Sequence, residues 1–450
     1  MPIPRRRVRG VGEGVVDARH GDRAGSRPRG TEECVITATS AGTRGLSTSA
    51  AVALYVTAVV GPGILTLPAA AAQKAGPLSL IALAALLAIS VPAAFAFVHI
   101  HRATSTRAPT EQAGIQQYVT AAFGRRAGRV AAAWFYLGVP IGVPALALIG
   151  GAYVSAAVGG GRVTQLAAAW AIAGVAILAN VRTARSSGAL SLVLAVALVV
   201  LILGAAVVSI PYWRPQHLQD FAPNGVLAVV PASLTLMWVL TGWEASTNFV
   251  GLVRDPHRRL PRVIGITLVV VVVLYAAVAL PEILVLGPFA GGTSAPVAAV
   301  LHAAIGDPAA SVAALLAAVL ALANSVAYLA SLRELGTGFL PPRRSTGTAT
   351  GPVRALLVPA AITVGGLLLA SVTDLDVSWF VEVCAGSQVP VYVAALAAGL
   401  VLLRRRSRGW WTALVATIAV ALLLIPAGPF LVVPLVIAIG VLVVDVARRR

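Results

Sequence analysis

The amino-acid sequence predicts an all-α integral membrane protein, and three observations support this fold class. Of the 450 residues, 58% are hydrophobic and only 11% are charged, with a mean hydropathy of +0.89. Because a soluble domain is about 25% charged, this chain has too few charges to cover a water-exposed surface of its size. The other two observations are apolar runs of about 20 residues, the length that crosses ~30 Å of hydrocarbon, and basic residues that collect in every second loop.

The apolar runs predict about twelve transmembrane helices. The last two are separated only by a short turn at Pro426. Residues 111–123 and 294–305 lie between spans and are predicted to form short helices at the two membrane faces. The predicted spans are roughly 48–70, 77–101, 130–157, 163–182, 186–210, 225–253, 261–286, 309–332, 354–372, 377–403, 409–425 and 427–446.

The basic residues predict the orientation, because lysine and arginine collect in cytoplasmic loops. With the N-terminus inside, only three of the 34 basic residues, Lys74, Arg162 and Arg214, fall on the outer side. Alternation alone assigns each loop, so this division supports the span count and places both termini in the cytoplasm. Arginine greatly outnumbers lysine, as in proteins from GC-rich bacteria, and the predicted location is therefore a bacterial plasma (inner) membrane.

The N-terminal segment and the cysteines exclude several other classes. Residues 1–45 are polar, rich in glycine and arginine and without apolar periodicity, which predicts a disordered cytoplasmic tail; an overextended start site and a lipid-surface contact remain alternatives. The net charge of +18 is spread over the loops, so no nucleic-acid partner is predicted. Cys34 and Cys384 cannot form a disulfide framework or a zinc site, and no metal or cofactor is expected.

Two spans contain interruptions near the predicted middle of the membrane. Span 1 contains Gly61-Pro62-Gly63, and span 6 contains the run from Leu240 to Glu244. Proline removes a backbone donor and glycine tolerates unwound conformations, so both helices are predicted to break there. The two spans are five apart, so the second repeat would be inverted relative to the first. Interruptions at matching positions of inverted repeats indicate a transporter site.

The backbone at two such breaks predicts the chemistry of the ligand. The N–H groups of Gly63, Ile64 and Leu65 would begin a half-helix whose positive end favours a carboxylate. The half-helix that ends near Trp238 to Leu240 would offer carbonyl oxygens to an ammonium group. An amino acid contains both groups. The predicted substrate-binding residues are Gly61, Pro62, Gly63, Ile64, Trp238, Leu240, Thr241 and Gly242.

Glu244 is the most informative single residue in the sequence. An acidic side chain at the bilayer centre costs ~2.5–3.5 kcal/mol on insertion scales, so it is rare there without a function. Glu244 is therefore a candidate for exchanging a proton and coupling transport to a gradient. The alternative is a structural carboxyl group that is hydrogen-bonded to the unwound backbone of span 1.

Other polar residues within spans are further candidates. Asn324 and Ser325, with Tyr328, are predicted either to line the cavity or to form hydrogen bonds between helices. Glu382 in span 10 is a further candidate for the cavity. Glu282 lies near the outer end of span 7 and is expected to face the outer water. Trp238 either stacks on the substrate or packs in the core.

Two motifs resemble the amino acid/polyamine/organocation (APC) permease superfamily. The run VVGPGILTLPAA is similar to the broken first span of that family, and TGWEASTNFVGLVRDPHRRLPR is similar to its sixth span and the following loop. Residues from Gln116 through FGRRAGRV to VPIGVPALAL, with Tyr328 and Arg333, are most similar to bacterial exporters of methionine and branched-chain amino acids. The resemblance covers about residues 45–450.

This resemblance implies a permease domain over 46–450 with a five-plus-five inverted repeat of the LeuT-like kind. The repeats would span 46–210 and 225–403, with extra helices over 409–446. It also implies a carboxylate-binding turn at Gly61, Gly63 and Ile64, a gating aromatic at Trp238, ammonium-binding carbonyls from Leu240 to Gly242, and a proton-responsive Glu244. At two positions this chain differs from the family. Pro62 stands where the family usually has a small polar residue, and Trp243 is bulkier than the aliphatic residue that is usual there.

The sequence therefore predicts secondary active transport of amino acids by alternating access, coupled to protons or working by exchange, with efflux of hydrophobic amino acids as one form. The first alternative is a twelve-span carrier of another fold for a different small amine or organic solute. The second is a non-transporting membrane scaffold. An enzyme is not expected, because no polar cluster outside the arginine-rich loops gathers at one membrane face.

Overall fold

The computed structural model of the chain describes residues 47–105, 114–181, 188–243, 253, 256–337 and 350–447. The predicted tail and Glu244 lie outside these ranges. Within them, helices joined by turns make up the architecture. In chain order the α-helices are α1 (Thr48–Val59), α2 (Leu67–Ala75), α3 (Ser79–Ser105), α4 (Ile115–Phe123), α5 (Arg125–Gly138), α6 (Gly142–Ala157), α7 (Arg162–Val181), α8 (Gly188–Ser209), α9 (Val229–Thr235), α10 (Pro256–Pro281), α11 (Pro296–Ile305), α12 (Asp307–Thr337), α13 (Thr350–Val372), α14 (Val377–Leu402), α15 (Arg408–Ala421), α16 (Leu424–Ala427) and α17 (Val432–Ala447).

Eight helical stretches in the described ranges are long and apolar enough to cross a bilayer. They are Leu67–Thr104, Arg125–Ala157, Arg162–Val181, Arg258–Gly292, Asp307–Thr337, Val353–Val372, Val377–Leu402 and Arg408–Ala447. The chain is therefore an all-helical, multi-pass membrane protein, as predicted. The count of twelve spans and the inverted repeat remain predictions, because helix length and composition alone do not determine which helices cross. The two predicted short helices both form, as α4 and α11.

The first predicted span is interrupted between α1 and α2. After Val59 the chain becomes extended at Val60 and Gly61, then forms a short 3₁₀ turn over Pro62–Leu65 before α2 begins at Leu67. Proline suits the first position of such a turn because the backbone N–H there would lack a helical partner. The interruption therefore lies at the Gly-Pro-Gly sequence, and α2 starts as a separate half-helix beyond it.

The segment after α9 is interrupted in a similar way. From Leu236 to Leu240 the helix tightens into 3₁₀ geometry, and Thr241 then becomes extended. Gly242 has a φ of 98°, a left-handed conformation that glycine adopts without the steric penalty of a Cβ atom. The helix therefore ends at Leu240, within the run that the sequence analysis singled out.

The helices around α6 are closely packed. This helix packs against α7 and α12, while α14 packs against α3, α5 and α15. A Cβ atom at Gly151 would lie 2.2 Å from the carbonyl oxygen of Gln165, so only glycine permits the close approach of α6 to α7. Small residues at helix contacts are typical of membrane bundles, and here they hold the helices that surround the interrupted segments.

The outer faces of several helices are apolar and exposed. Val175 of α7, Val200 of α8, Val269 of α10 and Val436 of α17 all have at least half of their surface accessible. Exposed apolar surface of this extent is unusual in a soluble protein and is typical of helices that contact lipid. The exposed faces thus agree with the low content of charged residues.

Candidate functional site

A cavity lies where the two interrupted segments meet. The space between them, including its opening to solvent, measures about 370 Å³. Of the residues singled out in the sequence, those that line it are Gly61, Gly63, Ile64, Trp238, Thr241, Asn324 and Tyr328. The structure adds Val59, Leu146 and Tyr275. The two interruptions therefore face one space, together with side chains from α1, α6, α10 and α12.

Gly63 and Trp238 approach each other closely at the cavity. A Cβ atom at Gly63 would lie 3.0 Å from Cε3 of Trp238 and 3.0 Å from Cδ1 of Leu67. A side chain at this position would therefore require the indole ring or Leu67 to shift. On its other side the ring lies near Gly142 and the thiol of Cys384. Trp238 thus both lines the cavity and packs in the core, so the two predicted roles are compatible.

The backbone at the breaks is partly hydrogen-bonded to itself in this conformation. The N–H of Ile64 donates to the oxygen of Gly61 at 3.2 Å, and the N–H of Thr66 donates to the oxygen of Gly63 at 3.2 Å. The oxygen of Trp238 accepts from both the N–H and the hydroxyl of Thr241, at 3.1 and 2.8 Å. A ligand would therefore compete with these turns for the N–H of Ile64 and the oxygen of Trp238.

The two neighbouring polar residues of α12 occupy different positions. Asn324 lines the cavity beside Gly61, and its amide donates to the oxygen of Leu320 at 3.0 Å. Ser325 is fully buried and donates to the oxygen of Ala321 at 2.8 Å. Both hydrogen bonds are within α12 and not between helices. Asn324 is thus positioned to contact a ligand, whereas Ser325 lies away from the cavity.

Glu382 also lies away from the cavity. Its carboxylate forms an ion pair with Lys74, at the end of α2, and accepts a hydrogen bond from the hydroxyl of Thr235 at 2.7 Å. The side chain of Lys74 is 27% exposed and that of Glu382 is 11% exposed. The pair joins α2, α9 and α14. In the sequence, Lys74 is the single lysine and falls on the predicted outer side, but nothing there indicates Glu382 as its partner.

The expectation that Glu282 faces the outer water was wrong. This residue is only 1% exposed, and neither carboxylate oxygen forms a hydrogen bond to a described residue. It follows Pro281 in a short π-helical segment, Glu282–Leu286, which packs against α2 and α11. A single carboxyl group within an apolar run was the available signal in the sequence.

The remaining predicted residues have less direct positions. Leu240 is fully buried at the end of its 3₁₀ turn, and Gly242 follows at the break, but neither lines the cavity. The backbone of Pro62 begins the first 3₁₀ turn. Trp243 is fully buried outside the lining of the cavity. Over the described ranges, no group of three or more histidine, cysteine or acidic side chains has a geometry that could hold a metal ion.

A multi-pass helical protein with two interrupted helices around a small central cavity has the architecture of a membrane permease. Comparison with known families agrees with this class, since residues 46–446 match the family described as amino acid permease. The chain belongs to this family. The match covers nearly all of the sequence beyond the predicted tail.

Two relatives give a narrower comparison. The uncharacterized amino acid permease YecA of Bacillus subtilis (strain 168) is 28% identical over 403 residues, which cover 86% of this chain and 92% of the relative. The L-methionine/branched-chain amino acid exporter YjeH of Escherichia coli (strain K12) is 29% identical over 231 residues, which cover 50% of this chain and 52% of that protein. The superfamily resemblance and the likeness to an exporter of this kind, both predicted from the motifs, are confirmed.

Proposed function

We propose that the chain is a secondary active transporter of amino acids that works by alternating access, with its substrate site in the cavity between the two interrupted helices. The observation that supports this most directly is that Gly63 and Trp238, one from each interrupted segment, line the same space, where a Cβ atom at Gly63 would lie 3.0 Å from the indole ring. Unwound backbone at membrane depth is tolerated where it lines such a cavity. Membership of the amino acid permease family agrees with the substrate class.

The lining of the cavity favours a zwitterion with an apolar side chain. The turn that contains Gly63 lies on the half-helix side of the first break. The N–H groups at this end of a helix favour a carboxylate. The oxygen of Trp238 and the amide of Asn324 are polar groups that an ammonium ion or a carboxylate could reach. Val59 and Leu146 provide apolar surface for the substrate side chain. We therefore propose hydrophobic amino acids as substrates, with efflux as the direction, as the name of YjeH states for that relative.

The ion pair of Lys74 and Glu382 is proposed to close one side of the site. It joins α2, the half-helix after the first break, to α14 and, through Thr235, to α9 before the second break. By the distribution of arginines, Lys74 lies on the predicted outer side. Alternating access would then require this pair to separate when the outer side opens, while α6, α7 and α12 remain packed together.

Substrate binding can be tested with the purified chain. We expect one or more of the hydrophobic amino acids to raise its thermal-unfolding midpoint, because a ligand that binds only the folded state stabilises it by ~2.7 kcal/mol at 100 times its dissociation constant. Proteoliposomes loaded with the stabilising amino acid should then exchange it with the same amino acid outside. Stabilisation by none of the amino acids, together with no exchange, would favour the scaffold alternative or another class of solute.

Glu244 is proposed to couple transport to protons. Exchanging it for glutamine keeps the shape of the side chain and removes its titration, so Glu244→Gln should abolish the dependence of transport on pH while substrate binding persists. The measurement is uptake into proteoliposomes across a pH series. Glu334→Gln, the same change at an exposed position near the end of α12, serves as the control. An unchanged pH profile in Glu244→Gln would reject this role.

A further inference from the structure

A second buried carboxyl group, Glu282, also lies against the half-helix α2. It lies near the start of this helix, whereas the ion pair of Lys74 lies near its end. Its side chain faces the backbone N–H of Ala69, in the first turn of α2, without the geometry of a hydrogen bond. The first-turn N–H groups of a helix have no partner within the helix, and the end they form is positive. The positive end of this nine-residue helix attracts a carboxylate. It replaces only part of the hydration that the carboxylate would have in water.

The nearest hydroxyl groups do not stabilise a charge on Glu282. Tyr153 of α6 interacts electrostatically with this carboxyl group, but its hydroxyl donates to the oxygen of Leu65 at 2.7 Å. The hydroxyl of Thr66 lies beside that of Tyr153, and among the described residues it has no hydrogen-bond partner. The hydroxyl of Tyr153 is therefore already donated elsewhere, and the carboxyl group is enclosed without a counter-charge.

The other titratable groups near Glu282 have other partners, line the central cavity or are exposed. Arg214, whose backbone N–H donates to the oxygen of Leu284 at 2.9 Å, and Asp220 are both exposed. Lys74 of α2 pairs with Glu382, and His302 of α11 pairs with Asp307 through Nδ1 at 2.6 Å. His217 lies in the 3₁₀ turn Pro215–Leu218, and its Nδ1 is 3.0 Å from the oxygen of Leu284. Tyr275 of α10 lines the central cavity. Among the described residues, the titratable group that interacts electrostatically with Glu282 is thus Tyr153.

A small cavity beside Glu282 excludes a metal cation as the occupant. Apart from Glu282, the side chains that line it are only alanine, valine, isoleucine and proline. A hard cation takes about six oxygen ligands, and these side chains offer none. A proton requires only the carboxyl oxygen itself. A buried carboxyl group without a partner is far less costly as the neutral acid than as the ion.

We propose that Glu282 is a proton-binding site that holds one proton while α2 packs against it, and that loss of this proton favours movement of α2 away from it. This inference rests on the proposed alternating access, because it assigns to α2 two arrangements. In the packed arrangement the enclosed acid is neutral. When α2 moves away, water reaches the carboxyl group and it ionises at neutral pH.

The direction of the pH effect follows from proton linkage. The packed state binds one proton more than the open state, so raising the pH favours the open state. The ratio of open to packed populations should rise by up to about tenfold per pH unit, the limit for a single proton. Glu282→Gln, which resembles the neutral acid, should remain packed at every pH.

Hydrogen exchange of the α2 amides in the full chain, reconstituted in nanodiscs, tests this without a transported substrate. With exchange times corrected for the intrinsic effect of pH, we expect protection of α2 to fall between pH 5.5 and 8.0 in the wild type and in Glu334→Gln. Glu282→Gln should show no such fall, and Glu282→Asp should retain it. Size-exclusion elution of each variant checks that it is folded.

Several results would overturn the inference. Protection that is independent of pH in the wild type, or a fall that persists in Glu282→Gln, would show that this carboxyl group does not control α2. If α2 opened in response to sodium chloride at constant pH and not to a change of pH, the ion bound at Glu282 would be a metal cation and not a proton. Failure of the proposed function can be distinguished from failure of this inference. A chain that transports no amino acid could still show the pH response of α2, and an active transporter could lack that response.

Discussion

Replacing Gly63 by leucine is expected to abolish amino-acid binding and transport. Even a Cβ atom at this position would lie 3.0 Å from both Trp238 and Leu67, and the rest of the leucine side chain would enter the cavity. Forcing extra carbon atoms into a well-packed site costs ~1–3 kcal/mol, and the loss of space for the substrate adds to this. We expect at least a tenfold weaker affinity, measured by binding of radiolabelled amino acid to proteoliposomes.

Two other glycines provide the controls for this experiment. A Cβ atom at Gly174 of α7 would meet nothing within 4 Å, so Gly174→Leu makes the same change without filling a cavity. Gly61→Ala should have a small effect, because its nearest neighbour would be Asn324 Oδ1 at 3.8 Å. If Gly63→Leu bound amino acids as tightly as Gly174→Leu, the cavity between the interruptions would not be the substrate site.

Removing the carboxylate of Glu382 is expected to open the end of α2. Breaking a buried ion pair costs ~3–5 kcal/mol, but Lys74 is partly exposed, so we expect ~1–3 kcal/mol, or about 5–150-fold in the opening equilibrium. The variant Glu382→Gln keeps the shape of the side chain and leaves Lys74 without its partner. Hydrogen exchange in the C-terminal half of α2 should accelerate by a factor in this range.

A second ion pair is the matched control for this effect. Arg129 of α5 and Asp445 of α17 approach to 2.5 Å, and neither residue lines the cavity. Asp445→Asn should therefore leave the exchange of α2 unchanged. The exchanged pair Lys74→Glu with Glu382→Lys should restore slow exchange if attraction between the two charges holds α2. Acceleration in Asp445→Asn as large as in Glu382→Gln would indicate general destabilisation of the fold.

The interruptions were predictable because their cause is local. Pro62 cannot donate a backbone hydrogen bond, and Gly242 occupies a left-handed conformation that other residues rarely adopt, so the chemistry of single residues decides where the helices end. The multi-pass class follows from composition in the same way. Asn324 was singled out because polar side chains are rare in apolar helices, and it lines the cavity.

The partners of the acidic residues were not predictable from the sequence. Lys74 and Glu382 are 308 residues apart, and no pattern along the chain indicates that they meet. Glu282 was misplaced because its position near the end of a span suggested contact with water. In the structure the 3₁₀ segment Gly287–Gly292 packs against α2, where a Cβ atom at Gly291 would lie 2.3 Å from Cβ of Gln73. This close approach covers the end of the span, where Glu282 is buried.

The single lysine of the chain makes the ion pair of α2 accessible to selective chemistry. A reagent for primary amines has one side-chain target in this sequence, Lys74, besides the terminal amino group. Acetylation of that amine requires its neutral form and afterwards removes its charge. The rate at which Lys74 is modified therefore reports how often it separates from Glu382, and the modified protein lacks the positive charge of this ion pair without any mutation.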